Sequence, residues 1–65
     1  MNVVVNGEAL CIDATTLAAL LAQLGYAPAS VATAVDGEFV PRAQRAGLPL
    51  RDGMTIDVVA PIQGG

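Results

Sequence analysis

The sequence predicts an α+β fold in the order β-β-α-β-β-β, with one helix lying on one face of a sheet. Three features of the chain carry that expectation. Asn6-Gly7 and Asp36-Gly37 each separate two short runs rich in apolar, largely β-branched residues, the pattern of a tight hairpin. Leu17, Leu20, Leu21 and Leu24 recur at i, i+3, i+4 and i+7, an amphipathic helical stripe. Met54 to Ala60 then alternates as one more strand.

Taken in order, Asn2 to Asn6 is the first strand and Glu8 to Asp13 the returning one. A two-residue loop puts Val5 opposite Glu8. Counting outward in twos sets Met1, Val3, Val5, Leu10 and Ile12 on one face, and Asn2, Val4, Ala9, Cys11 and Asp13 on the other. Thr15 or Thr16 offers an N-cap oxygen, and Gly25 stands where a left-handed residue closes a helix. A helix of about nine residues is too short to persist alone, so it must lie on the sheet. Pro28 blocks its continuation. Val31 to Val35 and Glu38 to Val40 flank the second turn. Arg42 to Leu50 is irregular, with a short helical turn over Ala43-Gln44-Arg45, and Arg51-Asp52-Gly53 turns into the last strand.

One helix covers one sheet face. Its leucines should pack on Met1, Val3, Val5, Leu10, Ile12, Val31, Val35, Val40, Ile56 and Val58. By subtraction the open face carries Val4, Ala9, Cys11, Ala32, Ala34, Phe39 and Val59. That is more apolar than a solvated sheet face should be, and a contiguous apolar patch marks a docking surface.

A chain of 65 residues makes one domain. It buries only about 60% of its unfolded surface, and a composition of 54% apolar and 14% charged residues meets that constraint. Three basic against six acidic residues leave a net charge of −3, the wrong sign for a nucleic-acid footprint. The absence of His and the single Cys remove most metal sites and the common nucleophile–base pairs. One Cys makes no internal disulfide, which suits a reducing cytoplasm. No signal peptide is expected, since no basic region precedes an apolar stretch at the N-terminus. The longest apolar run, Leu17 to Ala22, is too short to span a bilayer.

The stretch Pro61-Ile62-Gln63-Gly64-Gly65 reads as a flexible tail on a domain of residues 1–60. Two glycines make it thin enough to enter a channel that would refuse a side chain. Nearly extended, five residues reach roughly 16 Å at about 3.3 Å each.

Length, element order and the Gly64-Gly65 end resemble the ThiS family of ubiquitin-like sulfur carriers. Ala34-Val35-Asp36-Gly37-Glu38-Phe39-Val40-Pro41-Arg42 looks like the middle of that family, where a Val-Pro-Arg run closes the fourth strand, and the Asp52-Gly53 turn also fits. The resemblance covers the whole chain. It implies a β-grasp fold with a mixed sheet in the order 2-1-5-3-4, the first and last strands parallel neighbours. It also implies a carrier for thiamine thiazole synthesis rather than an enzyme. The Gly65 carboxylate would be adenylated by a ThiF-like partner using ATP and Mg²⁺. A sulfur-donor relay would convert it to a thiocarboxylate, and a ThiG-like thiazole synthase would receive the sulfur. Gly65 is then the reacting residue, and Gly64, Gln63, Ile62 and Pro61 thread the partner's active site. Phe39, Val59, Ala34 and Cys11 are the docking-face candidates, from alternation alone. No metal, cofactor, nucleic acid or membrane is expected to be bound by the chain itself.

Two other readings stay open. The small subunit of molybdopterin synthase also ends in Gly-Gly, though it is usually somewhat longer, and other sulfur carriers use the same chemistry. A β-grasp interaction module without acyl chemistry would use the apolar face alone. Cys11 reads more readily as an ordinary strand cysteine than as a persulfide relay.

Overall fold

The computed structural model describes residues 1–60. Asn6 and Asp36 both take positive φ, 51° and 50°, and Gly7 and Gly37 follow at 82° and 87°. Two successive left-handed residues form the type I′ turn, whose twist matches that of the strands it joins. Both turns thereby set register. β1 (Asn2–Val5) runs antiparallel to β2 (Glu8–Cys11), with Val3 opposite Leu10 and Val5 opposite Glu8. β3 (Ala32–Val35) runs antiparallel to β4 (Glu38–Val40), with Ala34 opposite Phe39.

Between the hairpins lies α1 (Leu17–Gln23). Thr16 is its N-cap, Oγ1 accepting from the Ala19 N–H at 3.2 Å. At the other end the Gly25 N–H donates to the Ala22 carbonyl at 3.1 Å and the Tyr26 N–H to the Leu21 carbonyl at 2.9 Å. This pair of bonds closes the helix after seven residues, sooner than expected from the leucine stripe alone. Two 3₁₀ segments follow in the connections, Pro28–Ser30 and Arg42–Gly47.

The last strand, β5 (Thr55–Val59), enters the middle of the sheet, giving the order β2-β1-β5-β3-β4. It is parallel to β1, with Val5 opposite Ile56, and antiparallel to β3, with Thr33 opposite Val58 and Ala32 opposite Val59. The mixed sheet and central β5 agree with the order the resemblance implied.

Leu17, Leu20 and Leu21 are buried against Val3, Val5, Ile12, Val35, Val40, Ile56 and Val58. Several assignments to the core change. Met1 is 43% exposed, because β5 begins opposite Val4 and the chain beside the start of β1 is the 51–53 turn. Leu10, Leu24 and Val31 are only partly buried. Leu50 and Met54 join the core instead. The Leu50 N–H donates to the Thr15 carbonyl at 2.9 Å, and the Leu17 N–H to the Leu48 carbonyl at 3.1 Å. These bonds strap the irregular 48–50 stretch to the entry of α1, so its apolar residues turn inward.

Arg45 is the one charged side chain in the described interior, 3% exposed. Its Nε donates to Thr33 Oγ1 at 3.1 Å, Nη1 to the Pro28 carbonyl at 2.8 Å and Nη2 to the Val31 carbonyl at 2.6 Å. Thr33 Oγ1 in turn donates to the Val40 carbonyl at 3.0 Å. One guanidinium fork thus ties both 3₁₀ segments to the start of β3.

Candidate functional site

The face of the sheet away from α1 is built by strict alternation. Ile56 and Val58 point into the core, so Thr55, Asp57 and Val59 point outward. Across the strands, Phe39 on β4, Ala34 on β3 and Asp57 on β5 share one row. Val59 and Ala32 form the next row toward the C-terminal end of β5. Phe39 is 69% exposed and Val59 62%; with Met1 they are the exposed large apolar side chains among the described residues. Ala34 is half-buried between them.

These three docking-face candidates therefore meet on adjacent strands. Cys11 does not join them. It is exposed, but it lies on the outer strand β2 opposite Asn2, at the other end of β1 from the turn. Six residue positions along the strand direction separate its row from that of Val59, roughly 20 Å at about 3.3 Å per residue. Asp57 stands in the Phe39 row and was not singled out from the sequence. Its parity with Val59 was the available signal, but a lone Asp in an alternating strand looks like ordinary solvated polarity.

Beside Val59 a shallow, apolar depression is lined by Ala29, Ser30, Val31 and Ala32. It flanks the point where the chain leaves β5. Pro61, Ile62, Gln63, Gly64 and Gly65, the residues assigned to the tail, lie outside the described residues.

The strand that leads into that segment is clamped by a turn side chain at each end. The Val58 N–H donates to Asn6 Oδ1 at 2.8 Å, and Asn6 Nδ2 donates to the Val58 carbonyl at 3.1 Å. At the start of β5 the Asp36 N–H donates to the Thr55 carbonyl at 2.8 Å while Asp36 Oδ1 accepts from the Thr55 N–H at 3.0 Å. Asp52 Oδ1 accepts from the Asn2 N–H at 2.7 Å. From the sequence these were turn residues with local roles. In the fold each reaches a strand far away in the chain.

Among the described residues, no cluster of His, Cys, Asp or Glu is arranged to hold a metal ion, and no helix is long and apolar enough to cross a membrane.

A five-stranded mixed sheet with a central last strand, one helix on one face and an apolar open face defines a ubiquitin-like β-grasp domain. The family model for the ThiS family matches residues 2–65, and the chain belongs to that family, the ubiquitin-like sulfur carriers of thiamine biosynthesis. It is similar to the crystal structure of the thiamine biosynthesis protein ThiS from Geobacter metallireducens, at 28% identity over 100% of both chains and a TM-score of 0.83. It is also similar to the solution structure of a thiamine biosynthesis protein from the same organism, at 28% identity and a TM-score of 0.81, covering 100% of this chain and 88% of that one. No curated protein matches the sequence. Family members are carriers rather than catalysts, and ThiS-like proteins work with ThiF- and ThiG-type partners.

Proposed function

We propose that Gly65 is the reacting residue and that its terminal carboxylate carries the sulfur. A carboxylate is a poor electrophile and needs a leaving group first. In a ThiF-type enzyme a carboxylate oxygen attacks the α-phosphorus of ATP, pyrophosphate leaves, and an acyl-adenylate forms. A persulfide sulfur then attacks the acyl carbon and AMP departs. A second thiol takes the donor's sulfur as a disulfide, and the Gly65 thiocarboxylate is released. A ThiG-type thiazole synthase accepts its sulfur. The thiol chemistry suits a reducing compartment such as the cytoplasm.

Residues 1–60 supply the docking body and residues 61–65 the leash. The observation that carries the reading is the placement of β5: it is the central strand, and the chain leaves it beside the exposed Val59, one row along from Phe39, Ala34 and Asp57. A partner seated on that face would have the five following residues, with Gly64 and Gly65 last, within roughly 16 Å of the root at about 3.3 Å per residue. In this reading Phe39, Ala34 and Val59 form the docking patch and Cys11, on the outer strand opposite Asn2, is not part of it.

The test is intact-protein mass spectrometry after incubation with a ThiF-type enzyme, ATP, Mg²⁺ and a persulfide donor. The expected product gains the mass of one oxygen-to-sulfur exchange. Deleting Gly65 should abolish the gain while leaving partner binding in place. An unchanged mass for the intact chain, with the enzyme active on another carrier, refutes the proposal.

A further inference from the structure

We propose that Asn6 is a positioning residue for the tail, fixing its root so that Gly65 is presented from a defined point. This rests on the carrier reading above. The argument starts from the two edges of β5. Thr55 turns its N–H and carbonyl to Asp36, so by alternation Asp57 and Val59 turn theirs to β3, and Ile56 and Val58 turn theirs to β1. The parallel ladder runs through Val4, whose N–H donates to the Met54 carbonyl, and Asn6, whose N–H donates to the Ile56 carbonyl, both at 2.9 Å. Its next rung would serve Val58.

At that point β1 has already turned away, since Asn6 has φ 51° and opens the hairpin. The side chain of Asn6 makes the missing rung. Its amide has the same donor and acceptor as a peptide group, and both are used on Val58. Without it, Val58 would lose its β1-side partners and only β3 would hold the end of β5. Gly65 lies seven positions beyond Val58, so this clamp sets the point from which the reach to the reacting carbon begins.

The choice of Asn over Asp follows from a comparison within the same fold. Asp36 occupies the equivalent turn position, also with positive φ, and also clamps β5. There the backbone N–H of Asp36 itself serves the Thr55 carbonyl, so the side chain need only accept. The backbone N–H of Asn6 is already committed to Ile56, so its side chain must donate as well as accept. A carboxylate at position 6 would set an anionic oxygen against the Val58 carbonyl.

Asn6→Gly keeps the turn, because glycine accepts positive φ, and removes only the rung. Asn6→Asp keeps the shape and removes only the donor. Two measurements are made on both, with Thr16→Ala as a control that weakens the fold at the helix cap, far from the tail. The first is amide exchange by NMR at Val59, whose N–H faces β3; it should accelerate about tenfold or more in both position-6 variants. The second is pyrophosphate release by a ThiF-type enzyme against carrier concentration. We expect kcat to fall about three- to tenfold, with KM within about twofold, because the docking face is intact and only the presentation of Gly65 is lost.

Thr16→Ala should leave kcat near wild type, and whatever acceleration it causes at Val59 measures the share due to general destabilisation, which both position-6 variants should exceed. If the variants keep wild-type kcat, or lose no more than Thr16→Ala does, the positioning role is overturned. If the wild-type chain itself is never adenylated, the carrier reading fails instead, a result distinguishable from the first because it appears before any substitution is made.

Discussion

Replacing Arg45 by Met keeps the aliphatic stem and deletes the guanidinium. Three acceptors lose a donor: Thr33 Oγ1, the Pro28 carbonyl and the Val31 carbonyl. Hydrogen bonds from a charged group contribute about 1.5–3 kcal/mol each where the acceptor is sealed from water. Two offsets reduce the sum. The Pro28 and Val31 bonds are only part-buried, so water replaces some of what is lost. The guanidinium also carries a desolvation cost, since all three partners are uncharged oxygens and methionine carries no such cost. The net expected loss is about 2–3 kcal/mol. For a domain of this size, whose total stability is about 3–10 kcal/mol, that is a large share. Urea denaturation followed by circular dichroism measures it. With m about 1 kcal/mol/M, the midpoint should fall by about 2–3 M, or the chain should be unfolded without denaturant. Arg42→Met, at an exposed site nearby, is the control and should move the midpoint little. An Arg45→Met midpoint within about 0.5 M of wild type would show that desolvation cancels the fork, and the reasoning would fail.

The remaining predictions are shorter. Phe39→Ser should leave stability within about 0.5 kcal/mol, the side chain being 69% exposed, yet weaken ThiF-type partner binding about tenfold or more by calorimetry. Equal affinity would take Phe39 out of the docking patch. Gly53→Ala meets no atom within 4 Å but must hold φ near 84°, so it should cost about 1–2 kcal/mol through the backbone alone; by thermal melting, each kcal/mol is about 4–8 °C. Cys11→Ser should leave thiocarboxylate yield unchanged in the mass assay, because Cys11 sits at the far end of the outer strand; a lost yield would reinstate it as a sulfur relay.

Sequence alone determined what depends on neighbours along the chain. Asn6-Gly7 and Asp36-Gly37 announce two hairpins because few residue pairs tolerate successive positive φ. The leucine stripe and the alternation of β5 announce which faces are apolar, because periodicity follows from local geometry. From those turns the exposure of Phe39 and Val59 follows, and the structure agrees.

Only the tertiary structure decided what depends on partners far away in the chain. Arg45 in an irregular stretch looks like a solvated charge, and nothing local says that Pro28, Val31 and Thr33 converge on it. Leu50 lacks periodicity and is buried because its backbone bonds to Thr15. Asn6 looks like half of a turn until Val58, fifty-two positions later, arrives beside it. A side chain's conformational preference is set by its own backbone, whereas its hydrogen-bond partner is set by whichever strand the closing of the sheet brings within about 3 Å.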